Sequence, residues 1–154
     1  MVRPILEYAS TVWGPPEGDT GDASSLERVQ RRAARFVVNN YTERTPGCVT
    51  NILKDLEWDP LSYRRSTNRL LMLYRFLNKT DLNSSLDFIK QSDPRTRGGA
   101  NLYQDHSNHP ALHNSFFPRT IRDWNKIPSS LTGAPSLDLF QAGLGKLSCL
   151  GPQF

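Results

Sequence analysis

The sequence has 154 residues, of which 37% are hydrophobic, and a formal net charge of +4. This length suits one domain with a modest core, and the apolar fraction indicates a chain that need not fold entirely by itself. No apolar run approaches the roughly 18 residues of a membrane span, and Glu7 interrupts any signal peptide. We therefore expect an intracellular protein of the nucleus or cytoplasm, with no membrane partner and with reduced thiols at Cys48 and Cys149.

Positive charge is concentrated in the middle of the chain. Residues 28–75 carry nine arginines, one lysine and four acids, a balance of +6, whereas residues 1–27 carry −4 and residues 76–154 carry +2. Arginine supplies 14 of the 19 basic residues, and its guanidinium group binds phosphate through a bidentate fork. The pattern is typical either of a nucleic-acid contact or of a solvated helix face, and both interpretations stay open here.

Apolar spacing predicts four helices before residue 80. The first covers Val2–Trp13, a short one runs from Val49 to about Trp58, and a long one runs from Leu61 to about Leu77. Asp59-Pro60 is predicted to supply the N-cap and first residue of the long helix. The predicted buried stripe of the long helix contains Leu70, Leu73, Tyr74 and Leu77. Its other faces carry Arg64, Arg65, Asn68, Arg69, Met72 and Arg75.

The remaining helix of this region, 24–38, has two distinct faces. Ser24 and Glu27 form a predicted capping box at its start, and Asn39-Asn40 ends it. A stripe predicted to face the core contains Leu26, Val29, Ala33, Phe36 and Val37. A basic stripe with the same spacing contains Arg28, Arg31, Arg32 and Arg35. This basic stripe is the first candidate surface for nucleic acid.

The helical pattern weakens after Lys79 and returns near residue 118. Leu82–Ile89 predicts a short helix, and short strands are expected around Leu102-Tyr103 and before Phe116. Helices are predicted again over Pro118–Ile127 and after Ser136, whose hydroxyl can cap the last one. The predicted fold is mainly α: a small irregular helical domain with a polar loop and short-strand segment near residues 95–117.

No catalytic centre is visible. Asp55, Glu57 and Asp59 point in different directions along a helix, and no phosphate-cradling glycine loop or nucleophile elbow occurs. The histidines His106, His109 and His113 could reach one metal ion, but polar loop histidines are the favoured interpretation. We predict no catalytic residue, no metal site and no cofactor in this chain, and no enzyme activity of the chain alone.

Basic residues alternate with aromatic ones in three short stretches: Tyr63-Arg64-Arg65, Tyr74-Arg75-Phe76 and Phe117-Pro118-Arg119. Guanidinium groups on phosphates and rings on bases are how proteins bind nucleic acid without sequence preference. Aromatic residues at helical spacing are more often core, however, and we expect Phe36, Tyr74 and Trp124 to pack inside.

Five stretches are more specific than composition: Arg3–Trp13, Leu26–Val37, Arg95–Gly98, Ser115–Pro128 and Ala134–Phe140. In this order they resemble the C-terminal region of the reverse transcriptases of jockey-like non-LTR retrotransposons (LINE elements), over about residues 2–147. The resemblance implies a parent RNA-directed DNA polymerase with an N-terminal endonuclease, whose catalytic aspartates and Mg²⁺ lie upstream in a Phe-x-Asp-Asp turn. Target-primed reverse transcription is the activity that it implies for the parent.

The resemblance also implies an organisation. Residues 1–80 would be a helical region after the polymerase thumb, 81–114 a polar connector, 115–147 a C-terminal helical region and 148–154 a tail. Met1 directly before a motif that lies inside the family's longer protein predicts a truncated or degenerate gene model. Two features depart from the family: residues 101–114 are poor in basic residues, and the Cys-His zinc knuckle of some relatives does not occur.

We therefore predict a non-catalytic reverse-transcriptase fragment that helps to hold template RNA or DNA, with the missing polymerase body as a second partner. The candidate contact residues are Arg28, Arg31, Arg32, Arg35, Arg64, Arg65, Arg95, Arg97, Arg119 and Arg122. The alternatives are a purely structural helical segment without nucleic-acid binding, or a truncated retrotransposon relic without function. A domesticated DNA-binding protein that uses 24–38 as its recognition helix is disfavoured, because no tight turn to a partner helix precedes it.

Overall fold

A computed structural model describes residues 6–14, 21–78, 89–92, 101–104 and 109–149. The helices among them are α1 (Ser10–Trp13), α2 (Asp22–Val38), α3 (Cys48–Asp55), α4 (Leu61–Asn78), α5 (Pro110–His113), α6 (Phe116–Trp124), α7 (Ser129–Thr132) and α8 (Leu137–Cys149). Within these ranges, β-pairing is limited to an antiparallel bridge between Gln91 and Leu102. The chain is mainly α, as predicted. It divides into two compact units, Met1–Ser66 and Thr67–Phe154, with the boundary inside α4.

The core of the first unit is formed where α2 meets α3. Ala34 of α2 is completely buried, and Cys48 and Ile52 of α3 are buried beside it. The half-buried side chains of Val49, Leu53, Leu56 and Trp58 pack against this cluster. Gly47, at φ +87°, ends the predicted Thr45-Pro46-Gly47 turn and precedes α3 in a conformation that favours glycine. The predicted short amphipathic helix is therefore confirmed.

The start of the chain is less regular than its apolar spacing predicts. Residues 6 and 7 are helical, but Ala9 adopts the left-handed conformation at φ 49°, and the helix resumes only as α1. The prediction of one continuous helix to Trp13 is therefore wrong within the described residues. Glu7, just before the break, forms a two-oxygen ion pair with Arg64 at 2.6 and 2.7 Å. The apolar spacing of a short segment cannot indicate a contact between two residues that are 57 positions apart in the chain.

The predicted capping box on α2 is wrong. The helix begins at Asp22, and the Ser24 hydroxyl donates to the Gly21 carbonyl at 2.9 Å rather than accepting a backbone N–H. Glu27 instead accepts the N–H of Ser62 at 2.9 Å, in the first turn of α4. The long helix runs from Leu61 to Asn78, close to the predicted range. A carboxylate from another helix thus satisfies an N–H that a local cap was predicted to serve.

Aromatic packing builds the core of the second unit. Tyr74 and Phe140 stack with ring centroids 4.7 Å apart, and Trp124 lies against Phe140 at 5.4 Å. The Tyr74 hydroxyl donates to the Ala134 carbonyl at 2.6 Å, which satisfies the polar end of a buried ring. The other buried members are Leu70, Leu73, Leu102, Ile121, Ile127 and Leu144. The predicted stripe of the long helix is confirmed, with Leu77 packed against it.

The C-terminal helices lie where the sequence predicts them, but the segment before Phe116 differs from its prediction. The helix predicted over Pro118–Ile127 is α6, and the Ser136 hydroxyl accepts the Leu139 N–H at 3.3 Å as the predicted cap of α8. In place of the strand predicted before Phe116, the chain forms α5 with Pro110 at its first position. Proline suits a helix start and cannot donate to a strand ladder, so the helical turn is favoured. The predicted helix over Leu82–Ile89 and the stretch Arg95–Gly98 lie outside the described residues, apart from the non-helical Ile89.

Candidate nucleic-acid interface

Three of the four arginines of the predicted basic stripe form an exposed cationic face on α2. Arg28, Arg31 and Arg32 are all exposed. Within the ranges that the structure describes, none of the three side chains makes a hydrogen bond or an ion pair. The face lies away from Gln30 and Ala34, which are the buried residues of this helix. We call these three residues the arginine face.

Arg35, the fourth member of that stripe, has a different environment. Its guanidinium donates to the Glu43 carbonyl at 2.8 Å and to the Asn40 carbonyl at 3.4 Å, and it lies 3.6 Å from the Cys48 sulfur. These contacts hold the loop between α2 and α3 against the helix. Arg35 is half-buried, and its donors are used within the chain, so it positions the loop instead of presenting a free cation.

Hydrogen bonds of Glu43 also order this loop, which spans Asn40–Thr45. Its carboxylate accepts hydrogen bonds from Asn40 Nδ2 at 2.7 Å and from Thr45 Oγ1 at 2.8 Å, while its own N–H donates to Asn40 Oδ1 at 3.2 Å. The hydrogen bond from Thr45, followed by that from Asn40, lowers the pKa of Glu43 below its ordinary 4.5. The stabilisation that this carboxylate provides is present above pH 4.5 and is lost as pH falls through the lowered pKa.

An open groove lies beside the arginine face. It has a volume of about 510 Å³ and is lined by Val29, Arg32, Ala33, Arg35, Phe36 and Tyr41. Phe36 is 71% exposed and Tyr41 is 56% exposed. We call this feature the α2 groove. Two large aromatic rings are thus exposed at the groove, with the guanidinium groups of Arg32 and Arg35 among their neighbours.

The exposure of Phe36 corrects the prediction that it packs inside. Each helical residue advances about 100° around the axis, so Phe36 lies about 200° from Ala34, the residue that contacts α3. Val29 and Val37 are likewise exposed, at 40% and 55%. The small side chain of Ala34 lets α3 approach on one face of α2, and the larger apolar residues are left outside that contact. Tyr41 lies beyond the periodic segment and carried no sequence signal.

Arg64 and Arg65, on the first turns of α4, are not available at the surface as free cations. Arg64 is the ion-pair partner of Glu7. Arg65 is only 4% exposed. Neither contributes to the arginine face. Alternation of basic and aromatic residues along a helix places them on different faces, so the sequence pattern could not distinguish a buried guanidinium from an exposed one.

Of the four candidate arginines in the second unit, the structure describes two, and neither is fully exposed. Arg119 is 5% exposed, and Arg122 is half-buried with Nη1 2.7 Å from His113 Nε2. Arg69, which was expected on a covering face of the long helix, is buried in an ion pair with Asp123 at 3.0 Å. Arg95 and Arg97 lie outside the described residues. The Arg-Asp-Trp-Asn segment around residue 123 thus contributes mainly to packing, since the Asn125 side-chain amide also bonds both backbone groups of Leu102.

The described ranges contain neither a metal-ligand cluster nor a helix that could span a membrane. No three His, Cys, Asp or Glu side chains come together there as metal ligands do. His106, one of the three histidines considered above, lies outside those ranges. Among the described helices, none combines the length and the apolar character of a membrane span.

Comparison with known proteins does not supply a family. No protein-family model matches the chain, and no curated protein or solved structure matches it. The resemblance to reverse transcriptases therefore depends on the five sequence stretches alone. The case for a binding site depends on the arginine face and the α2 groove.

Proposed function

We propose that this chain is a non-catalytic nucleic-acid-binding segment, and that α2 is its contact surface. The observation that carries the proposal is the arginine face: three guanidinium groups on one exposed helix side, without an acidic partner among the described residues. Like charges held together on a surface attract a polyanion, and release of its counterions drives binding. Arginine adds geometric fit, because its fork matches two phosphate oxygens.

We further propose that the segment belongs to a retrotransposon reverse transcriptase and acts in target-primed reverse transcription. The sequence stretches that resemble this family have different structural roles here. Leu26–Val37 carries the exposed arginine face, whereas Ser115–Pro128 supplies buried residues such as Trp124. This division favours nucleic-acid contact by the first unit and scaffolding by the second. The parent polymerase would supply the chemistry and its Mg²⁺.

A second candidate function is docking of α2 on the polymerase body. Val29, Phe36 and Val37 are exposed apolar residues on one helix, and such patches also mark protein–protein interfaces. In that case the arginine face would pair with acidic residues of the body. This function predicts that the isolated chain has no affinity for nucleic acid.

The experiment compares two variants of equal charge. In the first, Arg28, Arg31 and Arg32 are replaced by Gln; in the control, the exposed Lys54, Arg75 and Lys146 are replaced by Gln. We expect the first variant to bind a labelled RNA at least tenfold more weakly than wild type, because each phosphate that is no longer neutralised costs on the order of 0.5–1 kcal/mol. The affinity of the control should fall by less than about threefold. Circular dichroism checks that both variants keep their helices. Equal weakening in the two variants would overturn the proposal.

A further inference from the structure

We infer that the α2 groove is a base-stacking site, so that the segment binds single-stranded nucleic acid in preference to duplex. The phosphates lie along the arginine face, and a base lies in the groove against Phe36 and Tyr41. This inference rests on the proposed function and adds the class of ligand. It concerns two aromatic residues that the sequence motifs did not assign to binding.

The groove has the character that a base requires. Its lining is aliphatic and aromatic apart from two guanidinium groups, and its volume of about 510 Å³ lies within the range of about 300–1,000 Å³ of ligand pockets. A ligand that offered only phosphates would gain nothing from Phe36 or Tyr41. A base presents a flat apolar face, and stacking on an aromatic ring tolerates any base. In a duplex those faces are already stacked on one another.

The loop that carries Tyr41 is already ordered without a ligand. Arg35 bonds the carbonyls of Asn40 and Glu43, and the Glu43 carboxylate ties Asn40 to Thr45. Tyr41 is therefore held at the groove between two fixed neighbours. Because these hydrogen bonds form without a ligand, ordering of the loop backbone adds little to the entropic cost of binding.

Charge complementarity selects a nucleic acid over a protein as the occupant. Arg32 lines the groove itself, and Arg28 and Arg31 continue the same cationic side of α2. A polynucleotide has phosphates at regular spacing next to its bases, so one strand satisfies both the arginine face and the groove. A protein partner would have to present several carboxylates beside an apolar side chain.

The test uses the full chain and three labelled ligands of equal length: an oligothymidylate of about 12 nucleotides, the same strand in a duplex, and an abasic strand with the same phosphates. Fluorescence anisotropy measures each dissociation constant at one salt concentration. We expect the intact single strand to bind about tenfold more tightly than the abasic strand, because only the intact strand has bases that can stack on the rings. We expect it also to bind more tightly than the duplex.

Two variants identify the rings responsible. Phe36→Ala and Tyr41→Ala should each weaken binding of the intact strand about fivefold or more and leave the abasic strand unaffected. Tyr103→Ala, which removes a 49% exposed ring from the second unit, is the matched control and should change neither. Equal binding of intact and abasic strands would overturn the stacking site while the proposed function stands. Absence of binding to all three ligands would overturn both and favour protein docking.

Discussion

At the residue scale, the same side chain serves three purposes. Arg28 and its neighbours on the arginine face meet solvent, Arg35 ties a loop to a helix through backbone carbonyls, and Arg69 is buried opposite Asp123. The sequence does not show which of these uses an arginine has, because each use needs only the N–H donors and the positive charge of the guanidinium group. The environment therefore decides which arginines are available to a ligand.

The buried pair gives a stability prediction. Arg69 and Asp123 have side-chain exposures of 3% and 4%, so replacing Arg69 by Met leaves the buried Asp123 carboxylate with the exposed Lys126 ammonium, at 3.6 Å, as its ion-pair partner. We expect the free energy of unfolding, measured by urea denaturation, to fall by about 3 kcal/mol, the lower end of the range for breaking a buried pair, because Lys126 still offsets part of the charge. Arg75→Met, at an exposed position of the same helix, should change it by less than about 0.5 kcal/mol.

A double variant separates the pair from general damage to the core. When Asp123 is replaced by Leu together with Arg69→Met, both charges of the pair are removed, and a large part of the stability should return. If the double variant is as unstable as the sum of its single changes, the ion pair does not govern the stability of this region.

At the element scale, periodicity predicted which segments are helical, but not always which face they bury. Tyr74 and Trp124 are buried as expected, because the long helix and α6 each have one continuous apolar stripe. On α2 two faces could be buried: the apolar stripe that contains Phe36 and the side that contains Ala34. Close approach of α3 favours the smaller residue, and this preference depends on a helix that the α2 sequence does not contain.

The capping residues give a prediction at the same scale. Glu27 serves the Ser62 N–H of α4, whereas Ser24 donates to a carbonyl and serves no helix N–H. Glu27→Ala should therefore lower the free energy of unfolding by about 1 kcal/mol, as removal of a helix cap does. Ser24→Ala should cost clearly less. Thermal unfolding followed by circular dichroism measures both, and a larger decrease from Ser24→Ala would restore the capping box.

The candidate site could be predicted only in part. Spacing alone placed Arg28, Arg31 and Arg32 on one face, because a helix fixes that geometry whatever surrounds it. The groove was not predictable, since it needs Tyr41 from a loop whose position depends on Arg35 and Glu43. Burial of Arg65, Arg69 and Arg119 was equally hidden, because tertiary neighbours and not helical spacing decide it.

At the scale of the whole molecule, the two compact units differ in what they offer a ligand. Met1–Ser66 contains both the arginine face and the α2 groove. In Thr67–Phe154 the motif arginine Arg119 is internal, and the aromatic residues Tyr74, Trp124 and Phe140 form the core. The formal net charge of the whole chain, +4, is therefore a poor guide to the electrostatic field at the arginine face of α2.

The most direct test of the nucleic-acid interface is the salt dependence of binding to a single strand. Three phosphates neutralised by the arginine face contribute about −2 to the slope of log K against log salt concentration, at about −0.7 for each phosphate. We predict that replacing Arg28, Arg31 and Arg32 by Gln reduces the magnitude of the slope by about that amount, while Phe36→Ala lowers affinity and keeps the slope. An unchanged slope in the triple variant would contradict the assignment of the arginine face to phosphate.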